Sequence, residues 1–205
     1  MAIARDWEKL NQLKQWCKQE YQNNIHIYSI DFLSTNFSET LNNTFQAHNY
    51  FNIVINNAGY LVNKPFADHT QQDIENTFKV NAHAPMHVCQ QVIANNKNKP
   101  CHIVNIGSMG GYQGSVKFPG LSVYSASKAA LANLTECLAE EYKETNIKIN
   151  CLALGSVQTE MLNKAFPGYK AQLTSSQVAS YIKDFCINGQ LFYNGKILPV
   201  SNATP

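Results

Sequence analysis

The chain has no long apolar run, no cluster of charge of one sign and no paired cysteines. Its 205 residues carry 16 Lys and Arg against 14 Asp and Glu, a formal charge of +2. Such a mild and dispersed charge excludes nucleic acid as an expected partner. No apolar stretch is long enough to span a bilayer, and charges are spread through the first twenty residues. We therefore expect neither a membrane partner nor a secretory signal.

The cysteines lack the spacing of a disulfide framework or a metal site. They are Cys17, Cys89, Cys101, Cys137, Cys151 and Cys186. In a chain of this length, scattered cysteines predict reduced and mostly buried thiols, and so a cytoplasmic protein. His83 and His87, with Cys89 nearby, have the helical spacing of metal ligands. Since no second cluster or glutamate completes that set, no metal is expected.

What the sequence does contain is a regular alternation of helical and β-rich segments. The helical pattern covers residues 5–19, 37–50, 70–97, 122–144 and 175–187. The β-rich segments are IHIYSIDF, FNIVINNAG, CHIVNIGS, IKINCLAL and KILPV. Strands that are apolar on both faces and alternate with helices predict a mostly parallel sheet with helices on both sides. We expect a single three-layer α/β/α domain over residues 1–205.

Ligands in such a fold gather at the carboxyl ends of the strands. Polar and glycine-containing turns follow three of the predicted strands, at residues 56–59, 107–114 and 155–159. Residues 122–131, SVYSASKAAL, begin the helix after the second of these turns and place Tyr124 four positions before Lys128. That spacing puts both side chains on one helical face, with about 5–6 Å between their Cβ atoms.

The Tyr124–Lys128 pair has two interpretations. An ammonium at this range favours phenolate over phenol, so it is expected to lower the pKa of Tyr124 and make the phenol a better acid–base catalyst. Alternatively, both side chains have long apolar bodies and simply cover a neighbouring surface. Tyr-x-x-x-Lys is common on ordinary helices, and the pair alone does not separate the two interpretations.

Further segments supply the context that the pair lacks. These are NNAG at residues 56–59, FKVNAHAP around Asn81, GSMGG with Ser108, YSASK with Tyr124, and INCLALGSVQTEM at residues 149–161. In this order they resemble the short-chain dehydrogenase/reductase family, over about residues 4–200. The resemblance implies a Rossmann-like fold and an NAD(P)-dependent oxidoreductase that interconverts a carbonyl and an alcohol of a small molecule.

The resemblance also implies roles for four residues. Tyr124 would be the catalytic acid/base, and Lys128 would lower its pKa and bind the nicotinamide ribose. Ser108 would orient the substrate oxygen, and Asn81 would hold a water that relays protons. Each has a structural alternative: Ser108 is also a strand-end turn residue, and Asn81 is also a core amide at a backbone kink.

Cofactor contacts are carried over in the same way, with NADP slightly favoured over NAD. The resemblance places Asp31 and Phe32 at the adenine, Asn57, Ala58 and Gly59 along the adenosine ribose, and Gly155, Ser156, Val157 and Thr159 at the nicotinamide. Tyr124 and Lys128 belong to both the catalytic and the cofactor set. Arg5 sits where family members that prefer NADP place a guanidinium for the 2′-phosphate. It is equally a solvated cation at a helix start.

The family's opening strand and its Thr-Gly-x-x-x-Gly-x-Gly turn, which binds the cofactor pyrophosphate, have no counterpart in the sequence. The first strand, first helix and most of the second strand are therefore expected to be absent, as in an N-terminally truncated member. Strand 25–30 would then lack its neighbour, and the edge of the strand at 52–56 would be open. Two explanations of the missing strands are open. The chain is a fragment of a longer one, or the protein pairs these two strands directly.

The resemblance finally suggests an assembly and a second function. Helices 70–97 and 122–144 resemble the pair that builds the family's dimer interface, and both carry apolar stripes, so a homodimer or homotetramer is expected. Without the glycine-rich turn, the chain is alternatively a catalytically inactive remnant that acts as a subunit-binding module.

Overall fold

The computed structural model describes residues 1–202, and the chain divides into two compact units between Asn49 and Tyr50. The first unit consists of β1 (Ala2–Ala4), α1 (Trp7–Tyr21), β2 (Ile27–Ser29) and α2 (Phe37–Gln46). Helix α1 begins where the Asp6 side chain accepts a hydrogen bond from Lys9 N at 3.0 Å. It ends at Gln22, whose left-handed φ of 52° stops the helix.

Strand β2 has a partner, which corrects one sequence expectation. The segment at 25–30 was expected to lack a neighbour, but β1 and β2 pair in parallel, with Ala2 opposite Ile27 and Ala4 opposite Ser29. The pairing is extended by backbone hydrogen bonds from Ala2 N to His26 O, 2.8 Å, and from Ile30 N to Ala4 O, 3.0 Å. The three residues at the start of the chain are therefore enough to form the strand that was counted as mostly absent.

The second unit carries the main sheet. Its elements are β3 (Ile53–Asn56), α3 (Gln71–Phe78), α4 (Ala84–Asn96), β4 (Cys101–Ser108), α5 (Ser122–Glu141), β5 (Ile147–Leu154), β6 (Val157–Gln158), α6 (Glu160–Ala165), β7 (Leu173–Thr174), α7 (Ser175–Asn188) and β8 (Ile197–Val200). The main sheet has the order β3-β4-β5-β8 with every pair parallel, and β6 pairs with β7 separately. This confirms the predicted class, a mostly parallel sheet with flanking helices.

The centre of the sheet is formed by β4 and β5, which pair along eight residues from Cys101 opposite Ile147 to Ser108 opposite Leu154. Nearly every side chain on both strands is buried, because helices cover both faces. The outer strand β3 is different: Ile53 and Ile55 are 39% and 45% exposed. Within the second unit, as far as it is described, β3 pairs only with β4.

The predicted helix over 70–97 is interrupted. Helix α3 begins at a capping box in which the side chains of Thr70 and Asp73 bind each other's backbone amides. One turn of π-helix, Lys79–His83, then separates α3 from α4. A π turn adds one residue to the helical path, and such insertions are frequent at functional sites. Asn81 lies in the middle of this turn.

Several sequence expectations concern the whole chain. All six cysteines are free, and four of them are buried; burial raises the pKa of Cys89 and of Cys101 to about 12. Across residues 1–202, no helix is long and apolar enough to cross a membrane, and no three His, Cys, Asp or Glu side chains group as metal ligands would. That the two units form a single domain stays a prediction.

Candidate active site

The glycine turn after Ser108 lies against α5, the helix that carries Tyr124 and Lys128. Ser108 is the last residue of β4, and the 3₁₀ turn Met109–Gly111 follows it. A Cβ on Gly111 would lie 2.6 Å from the backbone nitrogen of Ala129 in α5, so only glycine permits this approach. The Ser108 hydroxyl is thereby close enough to the Tyr124 phenol to lower its pKa.

Lys128 is buried on the same side of α5. Its side chain is 4% exposed, and Nζ donates a 2.8 Å hydrogen bond to the carbonyl oxygen of Ile106 in β4. Nζ lies 6.0 Å from the centroid of the Tyr124 ring. Desolvation by burial lowers the pKa of Lys128 to about 8. The amine is therefore charged at neutral pH but close to its titration range.

The pKa of Tyr124 moves in the opposite direction to the sequence prediction. Burial raises the pKa of the phenol, and the nearby Ser108 hydroxyl lowers it in part. The prediction that Lys128 would lower it was wrong for the structure described here. Helical spacing does place the two side chains on one face, but the Lys128 ammonium is directed to the Ile106 carbonyl, not to the phenol oxygen.

Asn81 is fully buried and its amide is held by three hydrogen bonds. Oδ1 accepts from Tyr60 N at 2.8 Å, and Nδ2 donates to Tyr60 O at 2.8 Å and to Ser127 Oγ at 2.9 Å. Ser127 in turn donates to the carbonyl of Tyr124 at 2.7 Å. Asn81 thus ties the loop after β3 to the first turns of α5. This geometry fits the structural interpretation and leaves one lone pair of Oδ1 for a further donor.

Replacing Asn81 by Ala is expected to lower the free energy of unfolding by about 2 kcal/mol, because the backbone groups of Tyr60 and the hydroxyl of Ser127 lose their partner. Urea unfolding measures the loss, and hydrogen exchange of the Tyr60 amide reports it locally. The matched control is Asn76→Ala, which removes a single hydrogen bond with Gln72 near the surface. An equal loss of unfolding free energy in the two variants would show that the buried Asn81 contacts stabilise the fold no more than one surface hydrogen bond does.

Gly59 lies beside both Lys128 and Asn81. A Cβ built on it would be 3.8 Å from Asn81 Oδ1 and 4.0 Å from Lys128 Nζ. Asn57 and Ala58, which precede it, are exposed. The backbone of the loop at 57–59 therefore lies directly against two of the predicted catalytic side chains.

The loop after β5 lies close to Gly59 as well. Gly155 N donates to Val200 O at 2.9 Å, and Thr159 caps α6 by accepting from Leu162 N at 3.2 Å. Met161, in the first turn of α6, brings its terminal carbon to 3.3 Å from the Cβ position of Gly59. The predicted nicotinamide loop, with Ser156 and Val157, is thus adjacent to the loop at 57–59.

The remaining predicted cofactor residues belong to the first unit. Arg5 is exposed, and its carbonyl accepts a hydrogen bond from Ser29 Oγ at 3.1 Å. Asp31 accepts from Leu33 N at 2.9 Å, and the Phe32 ring contacts the Phe37 ring with 5.9 Å between centroids. Their contacts to a nucleotide stay predictions.

Sequence reasoning missed the groups that hold the named residues in place. Ser127 lies three positions after Tyr124 on the same face, a spacing that could have indicated it. The Ile106 carbonyl and the Tyr60 backbone carry no side-chain signal, so no sequence pattern could have found them. Lys117, whose ammonium lies against the turn after Ser108, reads in the sequence as one more dispersed lysine.

The family model for short chain dehydrogenases matches residues 1–170 of the 205, and the chain belongs to this family. An uncharacterized oxidoreductase of Staphylococcus epidermidis is 24% identical over 184 residues, 89% of this chain and 77% of that protein. An L-xylulose reductase of Caenorhabditis elegans is 38% identical over 111 residues, 53% of this chain and 43% of that protein.

Solved structures show the same fold. A short chain dehydrogenase from Escherichia coli CFT073 complexed with NADPH has a TM-score of 0.85 at 24% identity. A short chain dehydrogenase from Salmonella enterica serovar Typhi has a TM-score of 0.86 at 22% identity. In both comparisons 96% of this chain is covered, and 83% of the other. The predicted family and fold are confirmed.

Proposed function

We propose that this chain is an NAD(P)-dependent oxidoreductase that interconverts a carbonyl and an alcohol, with Tyr124 as the acid/base. The observation that carries the proposal is the meeting of Ser108, Tyr124 and Lys128 at the carboxyl end of β4. Membership of the short chain dehydrogenase family supports the reaction type. The substrate would be a small molecule with a carbonyl or hydroxyl group.

The side chains have complementary tasks in this reaction. Reduction of a carbonyl places negative charge on its oxygen, which the Ser108 hydroxyl stabilises by hydrogen bonding. The Tyr124 hydroxyl gives that oxygen a proton, and takes it back in the oxidation direction. Lys128, with its pKa lowered to about 8, can release or recover a proton near neutral pH. The nicotinamide, when bound, supplies or accepts the hydride.

The residues of the second unit fit a nicotinamide cofactor. A side chain at position 59 would press on Met161 and reach Asn81 and Lys128, so the glycine keeps the backbone of this loop next to the proposed catalytic residues. We assign Asn57, Ala58 and Gly59, with Gly155, Ser156, Val157 and Thr159, to cofactor binding, and Arg5, Asp31 and Phe32 to its adenosine end. Solved neighbours complexed with NADPH or NADP support NADP over NAD. The pyrophosphate is assigned to no residue, since the sequence has no glycine-rich turn.

A subunit-binding module without catalysis is the second candidate function. It is favoured by the pKa of Tyr124, which burial raises away from neutrality. In either case we propose a homodimer or homotetramer through α3–α4 and α5. A cytoplasmic location is proposed as well, in agreement with six free thiols.

A cofactor titration tests the proposal. Addition of NADPH to the protein is expected to give enhanced and blue-shifted cofactor fluorescence, with weaker binding of NADH, because Arg5 is assigned to the 2′-phosphate. Arg5→Met is expected to reduce the preference for NADPH and leave NADH binding unchanged. An oligomer in native mass measurements that binds neither nucleotide would overturn the proposal in favour of the subunit-binding module.

A further inference from the structure

A histidine lies fully buried on β4, at the end of the strand opposite to Ser108. His102 is the second residue of β4, and its side chain is 0% exposed. Its ring packs against the Phe185 ring of α7, with 5.5 Å between centroids. Histidine is the side chain that most readily changes charge near neutral pH, so the hydrogen-bond partners of His102 decide which charge state the core accepts.

The amide of Asn150, on the neighbouring strand β5, is oriented by two backbone groups. Lys196 N can only donate, so the atom that it meets at 3.1 Å is the amide oxygen, Oδ1. Tyr193 O can only accept, so the atom 3.0 Å from it is the amide nitrogen, Nδ2. The Asn150 side chain is fully buried as well, and it binds both ends of the segment 193–196 to β5.

The proton on the His102 ring is fixed in the same way. Nδ1 lies 2.9 Å from the carbonyl oxygen of Cys186, which can only accept, so Nδ1 carries the hydrogen. Nε2 lies 3.0 Å from Asn150 Nδ2, which donates its second hydrogen, so Nε2 is the acceptor. The ring is therefore neutral, and each polar atom of the two side chains has a partner.

A proton on Nε2 of His102 would break this arrangement. The new N–H would face the N–H of Asn150, and neither group has a lone pair with which to accept. Turning the Asn150 amide over would satisfy the ring, but it would set a donor against Lys196 N and an acceptor against Tyr193 O. In either case a buried polar group is left without its partner, which is costly.

The segment 193–196 is the part of this arrangement that can move. His102 lies on an inner strand of the main sheet and cannot leave the core unless the sheet opens. The segment instead leads into β8, the outer strand, and Tyr193 and Lys196 are both exposed. Its next contact with β5 is a backbone hydrogen bond, from Gly195 N to Ile149 O at 2.8 Å. Backbone of this kind, close to the surface, opens locally at lower cost than the core does.

We propose that His102 is an acid-sensitive lock: its neutral ring holds the segment 193–196 on β5 through Asn150, and protonation of the ring releases that segment. We call His102, Asn150 and the backbone groups of Tyr193 and Lys196 the His102 lock. Release unpairs the start of β8, which pairs with β5 as far as the loop after that strand. The lock does not depend on the proposed function, since neither cofactor nor substrate takes part in it.

The direction of the pH response follows from burial. Desolvation lowers the pKa of His102, and the hydrogen bond with the Cys186 carbonyl raises it in part. In the released segment the imidazole has its ordinary pKa of about 6.5. The closed form therefore binds the proton more weakly than the open form, and it loses stability as pH falls below that value.

The other titratable groups that face the His102 ring are amines, a thiol and a phenol. They are Lys148 opposite it on β5, Cys186 on α7, and Tyr193 and Lys196 in the segment 193–196. β3, with the sequence IVIN, contributes none. Side chains of these types do not change charge in the acid range in which imidazole does. Asp184 of α7 is exposed and paired with Lys183 at 3.2 Å, and the matched variant below separates its contribution.

Hydrogen exchange of backbone amides tests the His102 lock. Exchange at Lys196 and Gly195 is followed by NMR from pH 7 to pH 4.5, and each rate is divided by that of an unstructured chain. His102→Gln is the matched variant, because a primary amide has a donor and an acceptor side by side, as the neutral ring does, and takes up no proton. His26→Gln is the control, since it removes an exposed histidine of the first unit.

In the wild type, the open fraction of the Lys196 amide is expected to rise about tenfold between pH 6 and pH 5, because the open form takes up one proton. In His102→Gln the same amide should change by less than about twofold. His26→Gln should behave as the wild type does. Imidazole ¹⁵N shifts should show the Nδ1–H tautomer at pH 7 for the one resonance, among six histidines, that His102→Gln removes.

Three results would overturn the proposal. Equal pH dependence of Lys196 exchange in the wild type and His102→Gln would mean that another group opens the segment. A His102 ring that becomes charged while the Lys196 amide stays protected would separate protonation from release. No rise in Lys196 exchange down to pH 4.5 would show that acid does not open the lock. If His102→Gln does not fold, the wild type alone decides, because the ring resonance, assigned through its contact with Phe185, must titrate where the Lys196 amide opens.

Discussion

Tyr124→Phe is expected to lower the turnover number for NADPH-dependent carbonyl reduction by about 10²–10⁴-fold at pH 7. The substitution removes one oxygen, the group from which the substrate oxygen would receive its proton. The Ser108 hydroxyl and all the other residues assigned to the cofactor remain, so binding of NADPH should change by less than about threefold. Steady-state rates and the fluorescence titration measure the two quantities on the same protein.

Tyr142→Phe is the matched control, because Tyr142 caps the other end of α5. It removes the same atom at the far end of the helix and should leave the turnover number unchanged. Reduction by Tyr124→Phe at the wild-type rate would show that another group donates the proton. A simultaneous loss of NADPH binding would instead point to a structural role for the phenol.

Lys128→Met is expected to abolish measurable turnover and yet to make the protein more stable at pH 7. Lys128 is a buried cation that has a single backbone acceptor, the Ile106 carbonyl. Keeping such a charge out of water opposes folding, and an apolar side chain of similar length avoids this cost. After about 1 kcal/mol is subtracted for the lost hydrogen bond, the free energy of unfolding should rise by about 1–2 kcal/mol.

The pH dependence gives a second measurement of the same charge. Burial lowers the pKa of Lys128 from 10.5 to about 8, so between these values the native amine has lost its proton while the unfolded chain still holds it. Stability from this group therefore rises with pH across that window, by about 3 kcal/mol in total, and is lost again as pH falls through about 8. The buried thiols have raised pKa values and act in the opposite direction above pH 9.

The informative quantity is therefore the difference between wild type and Lys128→Met in urea unfolding at several pH values from 7 to 10.5. The advantage of Lys128→Met should be greatest at pH 7, fall by about 3 kcal/mol across the window, and reverse in sign towards the alkaline end, where the wild type becomes the more stable protein. Lys148→Met, a partly exposed lysine on β5, is the control and should show no such trend. A Lys128→Met protein less stable than the wild type at every pH would mean that the ammonium stabilises the fold.

The central strands could be predicted from the sequence to the residue. CHIVNIGS and IKINCLAL are the segments that form β4 and β5, because strands buried on both faces need an unbroken apolar run. Strand β1 has no pattern of its own, since Ala2–Ala4 is too short to show any period, and only the family resemblance indicated the end of a strand before α1. The interruption of the helix over 70–97 was also missed, because a π turn keeps the composition of an ordinary helix.

In the candidate site, too, sequence patterns predicted which residues lie near one another, and properties that depend on tertiary packing were not predictable. Spacing along the chain placed Tyr124 and Lys128 on one face, and motif order placed Ser108 and Asn81 near them. The pKa of Tyr124 could not be predicted, because its direction depends on burial and on where the Lys128 ammonium finds an acceptor. Sequence spacing fixes neighbours on one helix and contains no information about a carbonyl on the adjacent strand.

The π turn at Lys79–His83 has a consequence for how the chain tolerates changes of length. Deleting one residue from it would restore a regular α-helix through this region, at little local cost. The wider π turn absorbs the surplus residue, so its five residues cover nearly the same angle around the axis as four residues of an α-helix, at about 100° each. The buried side of α4, with Val88, Cys89 and Val92, would therefore keep its orientation, and the change would fall on the Asn81 amide and its hydrogen bond with Tyr60. The cost of shortening the chain here is thus confined to one turn and does not spread to the two helices that flank it.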